Sequence, residues 1–510
     1  MIPAVVDILP DFMPGTGAML FNSFEYLLVF LPLVVLGYFG LNRHPESDLP
    51  GKLWLTLASL FFYGWWSIAY LWLIGGSMLF NYGMARWLGR LASRSSLAQG
   101  VLGAAIVGNL LLLGYYKYVD FFIANFNHWV AEPLPLLHLA LPLGISFFTF
   151  TQIAFLVDVF RGKAREYNPV HYALFVTYFP HLIAGPILHH AEMMPQFASP
   201  TARRVNWQNI HLGLFIIAVG LIKKVVLADS LAVGADAGFN NPEPLPFHQA
   251  WITSLSYTLQ LYFDFSGYTD MAIGASLLFN ISLPANFNSP YKALDIRDFW
   301  RRWHMTLSRW LRDYLYFPLG GSRHGAMRTY AALLVTFLLG GLWHGAAWTF
   351  VAWGALHGLA AALHKVWLRL GWKLPVAVGW TLTFLFVNAA WVFFRSDSIS
   401  QALSILRSMA GLQGFATLDA LQALGSDLLS QEARDPFIDA AYAPARQLLV
   451  LAPCLLMVLL APNTAQLAQR DSITQPGWCA AIIVGLIAGT GLGYTLFMKS
   501  GITTFIYFYF

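Results

Sequence analysis

Residues 336–358 read TFLLGGLWHGAAWTFVAWGALHG. The stretch carries no acid, lysine or arginine, and it is long enough to supply the ~20 apolar residues that cross a hydrocarbon core. His344 sits near its middle, flanked by Gly340, Gly341 and Gly345. The same apolar texture recurs in both directions along the chain. Hydrophobic residues make up 57% of the 510 residues and charged residues 11%, against about 25% charge in a soluble domain. The fraction of surface that a soluble fold can bury levels off near about 75%, so this much apolar surface has to face lipid. The fold class is all-α, a polytopic integral membrane protein.

Candidate spans run Tyr26–Leu41, Leu53–Ile74, Ser77–Trp87, Val101–Leu113, Leu141–Phe160, Tyr172–Leu188, Leu212–Leu227, Trp251–Leu278, Tyr330–Gly341, Ala346–Leu363, Val376–Phe394, Leu448–Leu460 and Cys479–Phe497. They predict about ten to thirteen membrane helices. Ser77–Trp87, Tyr172–Leu188 and Tyr330–Gly341 read as half-helices or re-entrant segments around a central cavity or tunnel. Residues 1–18 read as an N-terminal extension, because Met19 leads straight into the first span. That extension lacks a basic n-region and is broken by prolines, unlike a signal peptide. Residues 19–510 read as one membrane domain, with a basic interfacial helical region at 286–328 and a non-membrane excursion at 396–446. No fixed-period repeat, βαβ pattern or glycine-rich phosphate loop occurs. Cys454 and Cys479 lie in apolar stretches and read as small buried hydrophobes.

The net charge of +5 reads as positive-inside loop bias, with no nucleic acid implied. Three basic clusters are assigned to the cytoplasmic side: Arg86, Arg90 and Arg94; Arg297 through Arg328; and Lys365, Arg369 and Lys373. Counting spans onward puts residues 396–446 and the C-terminus outside.

The segment IRDFWRRWHMTLSRWLRDYLYFPLGGSR starts at Ile296. At ~100° per residue, Trp300, Trp303, Leu307, Trp310, Leu311 and Tyr314 share one face. Asp298, Arg301, Arg302, Arg309, Arg312 and Asp313 share the other. That division predicts a helix lying in the headgroup plane. The four arginines read either as lipid-headgroup contacts or as a binding face for the phosphates of a soluble anionic donor such as coenzyme A. His304 falls at the edge of the apolar face, as an interfacial histidine or as a group facing a polar cavity.

Two readings of His344 also stand on the residues alone. It packs helices through a carbonyl partner, or it is a neutral imidazole able to take a proton from a hydroxyl nucleophile. His357 and His364, seven positions apart, read as structural. LYFDFSGYTDMAIG holds Asp264 and Asp270, which need partners at membrane depth, either arginines or cavity water. His181, His189 and His190 lie in a stretch broken by Gly-Pro and complete no recognisable metal set. Neither HExxH nor GxSxG is present. The terminal FIYFYF reads as an interfacial anchor whose tyrosines, Tyr507 and Tyr509, carry hydroxyls.

The motifs RRWHMTLSRWLRDYLY and GGLWHG are joined by MLFNSFEYLLVFLPL from Met19, LPLGISFFTF from Leu141, YFPHLIAGPI from Tyr178, LYFDFSGYTDMAIG from Leu261, ANFNSPY from Ala285 and FIYFYF at the end. In this order the chain resembles the membrane-bound O-acyltransferase family, in its bacterial alginate O-acetyltransferase-like branch. The resemblance implies acyl transfer to a hydroxyl, with His344 as the essential histidine, His304 as a second site histidine and Tyr507 as a carrier of the acyl group. It further implies no bound cofactor or metal. Acetyl-CoA is then the donor substrate, delivered from the cytoplasm, and a periplasmic acetyltransferase partner completes O-acetylation of an exopolysaccharide such as alginate or cellulose. The location implied is the bacterial inner membrane. The rival reading is a transporter for a polysaccharide or lipid-linked precursor; no inverted repeat of the kind that many transporters show is visible.

The topology has a direct check. In a background without Cys454 and Cys479, Ser426→Cys should react with a membrane-impermeant maleimide in intact cells. Arg328→Cys should react only after permeabilisation; the opposite pattern would invert the assignment.

Overall fold

A computed structural model describes residues 19–43, 47–92, 95–166, 168–415, 444–469 and 506. The extension 1–18, the candidate span Cys479–Phe497 and Tyr507 lie outside them. Every described element is helical. The chain divides into two compact units, residues 1–184 with 188–205, and residues 185–187 with 206–510.

The first unit comprises α1 (Leu31–Leu41), α2 (Leu49–Trp66), α3 (Ala69–Leu88), α4 (Ser96–Leu113), α5 (Val119–Phe126), α6 (Ile145–Phe160), α7 (Pro169–Thr177), α8 (Phe179–Leu182) and α9 (His190–Ala198). Local chemistry sets the boundaries. The Ser95 side chain accepts from Ala98 N at the start of α4, and Asn168 does the same for Val170 N at α7, where Pro169 occupies a position that needs no N–H. The packing of α4 is inverted relative to a soluble helix. Its buried residues are Ala98, Val101, Ala105, Asn109 and Leu113, while Leu97, Val107, Leu110 and Leu111 are exposed. Small and polar side chains inward with leucine outward is how helices associate in lipid. Asn109 and Asn81 of α3 exchange amide hydrogen bonds of 2.7 and 3.0 Å, which satisfies both buried side chains.

The second unit comprises α10 (Trp207–Leu221), α11 (Asp229–Phe239), α12 (Phe247–Leu277), α13 (Ile296–Arg302), α14 (Met305–Leu311), α15 (Ala326–His344), α16 (Trp348–Arg369), α17 (Val376–Arg395), α18 (Ile399–Met409), α19 (Pro444–Leu460) and α20 (Thr464–Ala468). Its axis is α12, buried along most of its 31 residues and packed by α10, α11, α17, α18 and α19. Among the described residues, four stretches are long and apolar enough to cross a membrane: Ser96–Phe126, Trp207–Phe239, Ala326–His344 and Val376–Arg395.

Two candidate half-helices are full helices. Tyr330–Gly341 is the middle of α15 and Ser77–Trp87 the C-terminal part of α3. The first was cut short by Arg328 and Thr329 near its start and the second by the Gly75–Gly76 pair, all of which the helices accommodate. The candidate Leu53–Ile74 instead contains a break: Ser67 is extended and separates α2 from α3. Nothing in WWSIAY signals that turn, because it contains neither glycine nor proline. Tyr172–Leu188 is broken as expected, into α7 and α8.

The α15–α16 hairpin depends on two glycines. A Cβ at Gly354 would meet the Phe337 carbonyl oxygen, and one at Gly341 would meet that of Phe350. Backbone cannot yield as a side-chain tip can, so Gly354→Val should push the helices apart. The expected cost is about 1–3 kcal/mol, read as a lower melting temperature of the purified protein in detergent. An unchanged melting temperature would show that the contact is slack.

Candidate active site

The segment read as one helix in the headgroup plane is instead a helical hairpin wedged among other helices. α13 starts at Asp295, whose carboxylate accepts Asp298 N at 2.8 Å, and ends at Arg302. α14 starts after His304, whose backbone is left-handed at φ 41° and ψ 55°. The tryptophans expected at lipid pack on protein. Trp300 is tilted against Phe337 and packs edge-on against Trp353 and His357, at 5.1, 5.8 and 5.1 Å between ring centres, and its indole N–H donates to His357 Nδ1 at 3.2 Å. Trp303 packs on Trp391 of α17 at 5.0 Å. The apolar residues of the segment do turn inward, but the single helix implied by the period is broken at Trp303 and His304, and protein rather than lipid covers them. A non-glycine residue held in the left-handed region costs of order 1–3 kcal/mol and concentrates at functional sites.

His304 is therefore buried, with 1% of its surface exposed, rather than interfacial. The edge of Phe265 from α12 meets its ring at 4.8 Å. Its Nδ1 lies 3.1 Å from Asn286 Oδ1. That oxygen also accepts Thr306 N at 3.2 Å and Thr306 Oγ1 at 2.9 Å. A backbone N–H can only donate, so the oxygen is identified by the network, and Nδ1 must carry the proton. Burial pushes the imidazole down to about 3, which keeps it neutral near pH 7. Its Nε2 is then an acceptor. The chain around this turn is sewn together by Asn288 N donating to Arg302 O and Met305 N donating to Asn286 O, both at 2.9 Å.

His344 is the last residue of α15 and is 3% exposed. It contacts the rings of Trp343, Trp353 and Phe394 at 4.9, 5.2 and 5.2 Å. The apolar run turns at Gly345, and His344, which the span boundaries left between Tyr330–Gly341 and Ala346–Leu363, is the last residue of the first helix. A Cβ at Gly345 would collide with the Phe350 ring. The two histidines are linked by a chain of aromatic contacts. Trp353 stacks on Trp391 at 5.6 Å, Trp391 packs at a tilt on Trp303 at 5.0 Å, and Trp303 directly precedes His304.

The four arginines are not equivalent. Arg302 is held by Asp298 at 2.8 Å and Arg312 by Asp313 at 2.7 Å, both acids of the same short segment. Arg301 and Arg312 are exposed, while Arg302 and Arg309 are half-buried. His357 is fully buried and His364 Nε2 lies 3.5 Å from Asp295, both structural partners as read. In the first unit, His190 and His189 face Glu166 and Asp158 at 3.3 and 3.5 Å, and His181 Nε2 donates to Phe175 O at 3.1 Å.

The buried acids of α12 pair with lysines, which the sequence reading did not single out. Lys223 Nζ is 2.7 Å from Asp270, and Lys224 Nζ is 2.8 Å from Asp264. Both lysines lie in a π-helical turn, Ile222–Ala228, between α10 and α11, a distortion common at functional sites. The rule that flags intramembrane charges also covers these lysines, inside the apolar span Leu212–Leu227. Asn286 was quoted only as part of a motif, and no local signal marks its role. A cavity of ≈ 270 Å³ opens beside these groups, lined by Lys223, Tyr262, Ser266, Asp270, Asn286 and Thr464 among others. Its wall, among the described residues, contains the partner of His304 but neither His304 nor His344. Tyr507 lies outside the described residues; its neighbour Ile506 donates its backbone N–H to Asp264 Oδ2 at 3.0 Å.

The site thus combines a neutral imidazole of fixed tautomer, a second buried histidine and a small, mostly apolar cavity with a few polar groups in its wall, inside a helical membrane protein. Comparison with known proteins fits this arrangement. The membrane-bound O-acyltransferase (MBOAT) family matches residues 117–397, a range that includes both histidines. The peptidoglycan O-acetyltransferase of Helicobacter pylori is 43% identical over 542 aligned positions covering 100% of both chains. The probable alginate O-acetylase of Pseudomonas aeruginosa is 40% identical over 77% of this chain and 75% of that protein. The teichoic acid D-alanyltransferase of Bacillus subtilis is 29% identical over 42% of this chain and 57% of that protein. The chain belongs to the membrane-bound O-acyltransferase family and is a multi-pass membrane O-acyltransferase.

Proposed function

We propose that this enzyme takes acetyl from cytoplasmic acetyl-CoA and moves it through the bacterial inner membrane for O-acetylation of a glycan outside the cell. The observation that carries the reading is the fixed, neutral His304, whose partner Asn286 lines a mostly apolar cavity with a few polar groups in its wall, on a chain similar along its whole length to a peptidoglycan O-acetyltransferase. That full-length similarity supports a wall glycan as final acceptor. Similarity to alginate O-acetylases over 77% of the chain supports a secreted polymer as the second reading. A periplasmic acetyltransferase partner completes the transfer in either case.

In the mechanism, a hydroxyl oxygen attacks the thioester carbonyl of acetyl-CoA. His344 accepts its proton, the C–S bond breaks, and the proton passes to the departing sulfur, so coenzyme A leaves as the thiol. The first acceptor is the Tyr507 hydroxyl, which forms an acetyl ester. The ester is then exchanged onto the partner or the glycan, restoring the phenol. His304 orients the donor: its Nε2 accepts, so it suits an amide N–H of the pantetheine arm. The same tautomer disfavours it as an oxyanion donor, since a neutral ring protonated at Nδ1 has no N–H at Nε2. Arg301, Arg302, Arg309 and Arg312 are assigned to the donor's phosphates, with Arg301 and Arg312 exposed and Arg302 and Arg309 half-buried.

Two predictions separate these roles. His344→Ala should lower acetyl transfer by about 10²–10⁴-fold, the usual worth of a general base, at normal membrane abundance. It would be measured as coenzyme A released from proteoliposomes loaded with acetyl-CoA and supplied with partner and glycan. Wild-type activity in that variant would remove His344 from the chemistry. Asn286→Ala releases the ring of His304 and should raise the KM for acetyl-CoA about tenfold, in line with the loss of about 1–2 kcal/mol of hydrogen bonding. A fall in kcat at unchanged KM would instead place His304 at the reacting carbonyl.

A further inference from the structure

We infer that a cavity in the first unit, walled by α2, the 163–166 loop, α7 and α9, binds a phosphate monoester, carried by a lipid or by a soluble organic compound. None of its residues belongs to the acyl-transfer site proposed above.

The cavity measures ≈ 370 Å³, at the small end of ligand sites. Lys52, Lys163, Arg165, Glu166, His171 and His190 supply its polar lining. A chain of contacts fixes these groups. Lys52 Nζ lies 2.7 Å from Asp48 Oδ2 and 3.1 Å from His171 Nε2. An ammonium can only donate, so Nε2 accepts and the ring proton of His171 sits on Nδ1. That nitrogen faces Glu166 Oε2 at 3.4 Å, and His190 Nε2 donates to the same oxygen at 3.3 Å. The other carboxylate oxygen accepts Asn168 N at 2.9 Å. Burial alone would raise the Glu166 carboxyl, but the hydrogen bonds from His190 and Asn168 N outweigh it and hold the group below its usual range. The one carboxylate of the lining, among the described residues, is thus committed within the protein.

Three cations share the lining with it. Lys163 and Arg165 are exposed, and among the described residues neither has an acid partner. Positive-inside bias accounts for a basic loop. It does not account for Lys52, whose side chain is only 3% exposed. Asp48 and His171 engage two of its three N–H groups, and the third has no described partner. A phosphate monoester brings three strong acceptor oxygens and a charge of about −1.5 to −2, which matches three cations offset by one carboxylate. The Arg165 guanidinium suits such oxygens in geometry as well as charge. Ala191, Met194 and Ala198 lie on one face of α9 and give the cavity an apolar wall, which leaves room for the organic part of the ligand. Tyr82 of α3 packs on Tyr172, the neighbour of His171, at 5.5 Å. Arg86 follows one turn later, so the cavity lies at the end of the unit assigned above to the cytoplasm, within reach of soluble phosphates and of the inner leaflet.

The test uses full-length protein and reads, by mass spectrometry, how fast Lys163 reacts with an amine-directed ester relative to the exposed Lys373. In neutral detergent the probe is phenyl phosphate. In phosphatidylcholine nanodiscs it is added phosphatidic acid. Saturable protection of Lys163 is expected in at least one arm. Protection in the detergent arm alone assigns the site to soluble esters, and protection in the nanodisc arm alone assigns it to lipid. Protection in both identifies the phosphate group itself as what is recognised. The apparent Kd should rise about tenfold in Arg165→Ser and in Lys52→Met, the usual worth of one charge-assisted hydrogen bond. Arg165→Ser changes an exposed side chain, so it decides the matter alone if Lys52→Met does not fold. Absence of protection in both arms would overturn the inference, as would an unchanged Kd in Arg165→Ser or in folded Lys52→Met.

Discussion

The second unit is organised by the pairing of charge along α12. A carboxylate enclosed by packed helices has no water to stabilise it, and removing one partner of such a pair costs several kcal/mol. Asp264 and Asp270 meet that need with Lys224 and Lys223 from the neighbouring helix. The π-helical turn Ile222–Ala228 is the local consequence. A regular helix would separate consecutive side chains by about 100°, and the widened turn lets two consecutive lysines both reach acids on α12. The distortion of α10–α11, the burial of α12 and the cavity wall are thus aspects of a single electrostatic requirement.

The same requirement explains the hairpin. A tryptophan face seven or eight residues long on α13 and α14 could lie on lipid. Here it finds Phe337, Trp353, His357 and Trp391 instead, rings that tolerate the indole N–H because His357 offers it an acceptor. Burying the hairpin carries His304 inward. Once inside, its ring cannot remain charged, and Asn286 decides which nitrogen keeps the proton. An amide oxygen already receiving a backbone N–H and a hydroxyl is a rigid acceptor, so the tautomer follows from the fold. Reactive polarity at depth is achieved without a charge on the ring.

Much of the architecture was legible because hydrophobic period and length report directly on helices in lipid. All-α class, the broken stretch after Tyr172, the structural roles of His357 and His364, and the isolation of His344 in an apolar setting all follow from local pattern. What escaped depended on partners distant in sequence. The inward apolar and outward polar residues of Ile296–Arg323 were legible, but the break at Trp303–His304 and whether lipid or protein covers the apolar side are tertiary matters, so one interfacial helix became two short buried ones. Asp264 and Asp270 announced a need for cations, and arginine was an equally good guess until the fold brought Lys223 and Lys224 beside them. Asn286 is an ordinary loop residue by every local criterion; its importance arises only from Thr306 and His304, 20 and 18 positions away.

The arginines show the limit in another form. Counting them as one basic face treats charge as a sum, whereas the structure treats it as a set of pairs. Arg302 and Arg312 spend much of their hydrogen-bonding geometry on Asp298 and Asp313, and an anionic donor would have to compete with those carboxylates. Exposed pairs of this kind contribute little to stability, typically below about 1 kcal/mol, so a phosphate could displace them at modest cost. Their value lies in holding long side chains in a defined direction before a ligand arrives. The acids on this segment therefore act with the arginines: they keep guanidinium groups extended at the surface of a hairpin whose other face is sealed against protein.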